Sequence, residues 1–226
     1  MQIKLWMTKL KRDGNVMAIG ALRLGEITVK NLMLMKNKEG KLFLQMPCRD
    51  TGRMGPNGAH VYEDIIHPTT RQMRDALNEA ALESYENERP VTLKQNTQGT
   101  MLIEASAFDA PYMNRVGKGQ ILINDEFVIK DIFINKGKNE SLYITLPNYK
   151  SKESHNGKPV YKEIVTMGSD LKKQVSRAMI DEYHKSVTHK EQNRFIIKSR
   201  LNEAKKKADE QTAHKEHTKE NMMQLV

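Results

Sequence analysis

A single cysteine, a single tryptophan and an aromatic content of only 6% mark this chain of 226 residues. With Cys48 alone, no internal disulfide can form, which fits a reducing cytoplasm. No stretch approaches the run of about 18 apolar residues that a membrane span needs, so no membrane partner is expected. The first residues, Met1-Gln2-Ile3-Lys4-Leu5-Trp6, alternate as a strand does and lack the apolar core of a signal peptide. Also missing are a glycine-rich phosphate cradle before a helix, a nucleophile elbow and a cluster of metal ligands. Nothing therefore points to catalysis, to a cofactor or to a metal, and the expectation is a protein that is not an enzyme.

Charge of one sign is scarce where a core can form. The net charge is +9, yet residues 1–86 carry 13 basic against 10 acidic side chains. Residues 185–226 carry 10 against 6, nearly half of the whole excess. Any anionic partner must then be held by local clusters rather than by the field of the whole chain.

What the chain does have is a repeat. Leu42-Phe43-Leu44-Gln45-Met46-Pro47 returns as Leu142-Tyr143-Ile144-Thr145-Leu146-Pro147, and Val61 to Ile66 returns as Val160 to Val165. Upstream, Glu26 to Leu32 matches Glu126 to Ile132; downstream, Leu77, Ala80, Ala81, Leu82 and Tyr85 match Val175, Ala178, Met179, Ile180 and Tyr183. Order shared over some sixty residues implies a duplicated unit. The expected boundaries are repeat one at 1–86, a linker at 87–99, repeat two at 100–184 and a charged helical extension at 185–226.

Each repeat reads as α+β. Ile3, Leu5 and Met7 alternate in a first strand, Asp13-Gly14 makes a hairpin turn, and Val16–Leu24, Ile27–Met35 and Leu42–Met46 continue a meander. Residues 48–60, rich in glycine, read as an exposed mobile loop, and Val61–Ile66 as a fifth strand. Thr69 with Gln72 suggests a capping box. Met73, Leu77, Ala80, Ala81 and Tyr85 then follow at helical spacing, so one helix face should pack on the sheet. Ser169 or Asp170 can cap the second helix. From Lys185 onward proline and glycine are absent, and Ile197, Leu201, Ala204 and Ala208 fall at heptad-like spacing in a helix of about six turns that frays before Met222.

The sharpest candidate surface combines Arg49 and Arg53 in the loop with His67, Arg71 and Arg74 around the start of the first helix. Arginine presents forked donors to phosphate oxygens, and a helix start adds positive potential. Ordinary solvated charge, partly neutralised by Asp64 and Asp75, is the competing account. Secondary contacts fall to Lys150, Lys172, Lys173, Arg194 and Lys198, with Lys205, Lys206 and Lys207 further along the tail. Single-stranded bases could stack on Phe43, Tyr62, Tyr143 or Tyr161 only if those rings are exposed. His214 and His217 have the spacing of a metal pair without a third ligand. Cys48 beside Arg49 is a candidate thiol.

The combined motifs resemble those of the stage V sporulation protein G family, the septation regulators. The residues that carry the likeness are Met46-Pro47-Cys48-Arg49, Asp64-Ile65-Ile66-His67-Pro68, Arg71, Tyr85, and Asp13-Gly14 with Met17-Ala18-Ile19. It covers Lys4 to Glu86. Repeat two keeps the scaffold and departs at the motifs, with Leu146-Pro147-Asn148-Tyr149-Lys150, then Glu163-Ile164-Val165-Thr166-Met167, and Asp170 in place of the helix arginine. The resemblance implies a small dimeric bacterial protein that binds DNA or RNA, modulates gene expression and is linked to septation and sporulation. For this chain it implies a fused pseudo-dimer that grips nucleic acid through repeat one. The alternative is an adaptor in cell division that docks a protein through its sheet edges or its tail.

Overall fold

The computed structural model describes residues 1–11, 14–93 and 101–223, with side chains described throughout except at Lys152 and 203–223. Residues 1–183 form one compact unit and 184–226 a second.

The first unit opens with an antiparallel meander of β1 (Ile3–Lys9), β2 (Val16–Leu24), β3 (Ile27–Lys36) and β4 (Leu42–Gln45). Alternation makes it amphipathic: Ile3, Leu5 and Met7 of β1 are buried, while Lys4 and Thr8 face out. Asp13 lies outside the described residues; its neighbour Gly14 has φ +138°. After Pro47 the chain forms a two-stranded hairpin, β5 (Cys48–Met54) with β6 (His60–Asp64), then β7 (Ile66–Pro68), α1 (Arg71–Asn87) and β8 (Val91–Leu93), which returns to pair with β1. Repeat two follows the same order: β9 (Ile103–Tyr112), β10 (Arg115–Ile123), β11 (Phe127–Lys136), β12 (Leu142–Thr145), the hairpin β13 (Asn148–His155) with β14 (Lys158–Glu163), β15 (Val165–Met167) and α2 (Ser169–Met223). The α+β class expected from the sequence is the one observed.

The expected mobile loop at 48–60 is instead most of that first hairpin. Its glycines serve a turn: Gly55 and Gly58 bracket Pro56-Asn57, the Gly58 N–H donates to the Gly55 carbonyl, and Gly55 N–H donates to Ala59. Its low apolar content reflects a two-stranded ribbon that offers little to the core, not a lack of order.

Strand β7 does not join the sheet of its own repeat. Ile66, His67 and Pro68 pair with Ile129, Val128 and Phe127 of β11 in repeat two. In return, Val165, Thr166 and Met167 of β15 pair with Val29, Thr28 and Ile27 of β3 in repeat one. Two further hydrogen bonds mirror each other: Lys130 N–H donates to Ile65 O, and Lys30 N–H donates to Ile164 O, both at 2.8 Å. Each sheet is thus completed by the other repeat. The hydrophobic core follows suit, since Leu5, Leu22, Leu32 and Leu77 belong to one continuous cluster with Ile121, Phe127, Ile132 and Val175.

Helix α1 is capped by Thr70, whose side chain accepts from Met73 N–H at 3.2 Å, one residue later than the expected cap. Thr69 is committed elsewhere, its hydroxyl donating to Asp125 O of repeat two. The buried face is Leu77, Ala80, Ala81 and Ser84. Ser84 keeps its polarity satisfied, accepting from Met7 N–H at 2.9 Å and donating to Arg89 O at 2.7 Å. In repeat two, a Cβ on Gly119 of β10 would come within 2.2 Å of Ser106 O on the neighbouring β9 and 2.6 Å of the Met179 methyl on α2.

The extension does not begin a new helix. With no proline or glycine between Ser169 and Met223, α2 runs unbroken for 55 residues, longer than the six turns expected. Within the second unit, Phe195, Ile196, Ile197 and Leu201 are exposed. The side chains of Ala204, Ala208, His214 and His217 lie outside the described residues.

Two outcomes follow from this packing. Adding one methyl in Gly119→Ala overpacks the seam by about 2 kcal/mol, which lowers the melting temperature by roughly 4–8 °C in a scanning-fluorimetry comparison. A fragment ending after β8 keeps β7 but loses the β11 edge that receives it; light scattering should find it paired with a second copy or aggregated, and a folded monomer would contradict the exchange.

Candidate nucleic-acid interface

Position 131 is a bulge where β11 crosses β10, with Asp131 at φ +58°, and Asn31 occupies the same place in β3 at φ +65°. An extra residue in one strand re-aims a side chain, and short Asp and Asn side chains tolerate the left-handed region. Asp131 is nearly sealed, its side chain 7% exposed. It meets Lys118 Nζ at 2.6 Å and the Nε of Arg49, which reaches it across the repeat boundary. Arg49 Nη2 also donates to Glu63 at 2.7 Å, and Lys130 Nζ lies 3.3 Å from Glu63. The Arg49 Nε and Asp131 Oδ1 atoms are buried and meet their partners as ion contacts rather than as aligned hydrogen bonds. The Glu63 carboxyl is held below the ordinary range, first by its hydrogen bond from Lys130 and then by the charges of Lys130, Arg49 and Lys118.

These contacts decide what each candidate residue can offer. Arg49 is half-buried between two carboxylates, so its guanidinium clasps the two repeats together and little of it is left to face a ligand. Arg53 is exposed towards the far end of β5. Arg71 is 93% exposed, 3.7 Å from Asp75, and Arg74 is exposed one turn further along. The first turn of α1 holds no acidic residue to cancel the positive helix end. His67 sits partly buried on β7; burial, then the charge of Lys130, pushes its imidazole below the usual value, so at neutral pH it is uncharged. Burial raises the Cys48 thiol, the opposite of what a reactive thiolate requires.

The secondary candidates are scattered. Lys150 is exposed on β13, Lys172 and Lys173 lie on α2 beside Glu163 and Asp170, and Arg194 and Lys198 are exposed in the second unit. Of the rings, Tyr62, Tyr143 and Tyr161 are exposed and Phe43 is half-buried. The ion cluster itself escaped sequence reasoning. Its trace was visible as Asp131 at the centre of β11, between the apolar runs Phe127–Ile129 and Ile132–Ile134, a position where a carboxylate demands partners.

His67 has a consequence for stability. Because the folded chain disfavours the protonated ring, the unfolded chain takes up a proton first as pH falls below about 6.5. The contribution of neutral His67 is complete above that pH and drains away on acidification. Thermal melts between about pH 6.5 and 5 should therefore fall more steeply for the parent than for His67→Gln, and parallel slopes would remove His67 from this account.

The SpoVG family matches residues 1–87. A protein of Staphylococcus saprophyticus named "Putative septation protein SpoVG" is 30% identical over 95 residues, covering 42% of this chain and 87% of the relative. Bearers of the same name in an Exiguobacterium species and in Archaeoglobus fulgidus are 32% identical over 80 residues and 31% over 81, covering 74% and 87% of their own lengths and 35% of this chain in each case. The match spans the whole of repeat one, from the meander to the end of α1, and on that ground the chain belongs to the SpoVG family.

Proposed function

We propose that this chain is a non-enzymatic regulator that binds DNA or RNA by its phosphates, acts as a fused pseudo-dimer, and serves septation as the names of its relatives suggest. The observation that carries the reading is the set of exposed arginines on repeat one: Arg53 on the hairpin, and Arg71 and Arg74 at a helix start free of acid in its first turn. Fusion keeps the second repeat at high effective concentration, so the exchanged strands need no second chain to find their partners. Arg49 supports the site by bracing the hairpin against repeat two, and His67 contributes a neutral polar group.

A second reading rests on the exposed Phe195, Ile196, Ile197 and Leu201 of α2, an apolar patch suited to a protein partner in an adaptor role. Removing 185–226 separates the two. An adaptor loses its partner, whereas phosphate binding by repeat one persists.

Anisotropy titrations at several salt concentrations test the main reading. The Arg71→Ala/Arg74→Ala variant should bind duplex DNA several-fold more weakly, with the log-affinity slope against log salt shallower by about 1.8 for the two lost phosphate contacts. Arg49→Ala should instead lower the melting temperature. Affinity and slope unchanged in the double variant at low salt would remove α1 from the interface.

A further inference from the structure

The hairpin of repeat two leans over the sheet of repeat one as its counterpart leans over repeat two, and the two resulting clefts have diverged. The first is lined by Glu63, Lys118, Lys130 and Asp131 with Phe108, and encloses about 390 Å³. Its charges are spent on one another through Arg49, Lys118 and Lys130. The second is lined by Lys30, Asn31, Tyr149, Tyr161, Lys162, Glu163 and Thr166, and encloses about 550 Å³.

Position by position the chemistry is altered. Asn31 replaces the sealed Asp131, Tyr149 replaces the clasping Arg49, and Lys162 replaces Glu63. Residues 48–64 carry two arginines against three carboxylates, while 148–163 carry four lysines against two. Across the β13–β14 ladder Tyr149 pairs with Lys162 and Tyr161 with Lys150, and of the two lysines Lys162 lines the cleft with the rings. Tyr161 is 61% exposed and Tyr149 38%. Lys162 is held by Glu153 at 2.6 Å, and the cleft's carboxylate, Glu163, lies 3.4 Å from Lys172. Lys30 is exposed and has no ion pair among the described residues.

We infer that this second cleft binds single-stranded nucleic acid, stacking bases on Tyr161 and Tyr149 while Lys30 and Lys162 meet the backbone. Aromatic faces beside cations are the combination that holds unpaired bases without demanding a particular sequence. The Asn31 amide and the Thr166 hydroxyl add groups that can meet a base edge; in the other cleft a carboxylate at the Asn31 position would repel the phosphates. The rings stand on the hairpin of repeat two, whereas the duplex contacts are assigned to α1 of repeat one, so the inference shares with the proposed function only the ligand class.

The test uses the full chain with fluorescein-labelled oligo-dT and oligo-U of about twelve nucleotides, beside a labelled duplex. Tyr161→Ala should weaken single-strand binding about tenfold, Tyr161→Phe should keep it, and neither should change duplex binding, with far-ultraviolet dichroism and melting temperature confirming the fold. Lys30→Ala should weaken single-strand binding and flatten its salt dependence. Arg71→Ala/Arg74→Ala should do the reverse, losing duplex and sparing oligo-dT. A parent chain that binds duplex but neither oligonucleotide overturns the cleft and leaves the proposed function standing. So does single-strand affinity that is unmoved by Tyr161→Ala or lost equally in Tyr161→Phe. A parent chain that binds none of the probes overturns both.

Discussion

Two three-residue strands that cross between repeats hold this molecule in its form. Neither β7 nor β15 has its ladder partner within its own repeat. An unpaired buried backbone is costly, so each repeat leaves both a strand without a sheet and a sheet edge without a strand until the other arrives. Buried Ile66 and Val165 make the exchange hydrophobic as well as hydrogen-bonded. Everything downstream inherits this: α1 begins three residues after β7, so its arginines are positioned partly by the sheet of the other repeat.

The exchange also explains why charge clusters gather at the crossing. Where the chain leaves one repeat for the other, its hairpin lies against a bulge of the opposite sheet, and the bulge residue points into the join. With Asp131 there, the join attracts Arg49 and Lys118 and becomes a clasp. Such a pair is weak as a source of net stability, yet strongly discriminating, because removing one partner strands the other. With Asn31 there, no charge needs neutralising and the facing position is free to hold a ring.

The meander, the two helices and the duplication were legible because each is written in a local period: alternation of two for β1 to β4, and i, i+3, i+4 for Leu77, Ala80, Ala81 and Tyr85. The strand crossing was not. Ile66-His67-Pro68 reads equally well as the end of a fifth strand, since period and propensity say nothing about which of two similar edges it joins. The same limit hid the fate of Arg49. In the sequence it is one more exposed cation in a glycine-rich stretch, and only the tertiary partner Asp131, 82 residues away, turns it into a tether. Arg71 and Arg74 were placed correctly on an outer helix face because helical spacing alone determines that.

Fusion changes what can diverge. In a pair of identical chains both clefts carry the same residues, so replacing the bulge carboxylate would open both clasps at once and forfeit the bracing they give. In a fused pair the substitutions are independent. The clasp of Arg49 and Asp131 can persist at one crossing and brace the body, while the other trades an arginine for Tyr149 and a carboxylate for Asn31. The departure of repeat two from the motifs of repeat one leaves the exchanged strand, Val165 to Met167, paired in full, so the strand crossing does not depend on those motifs.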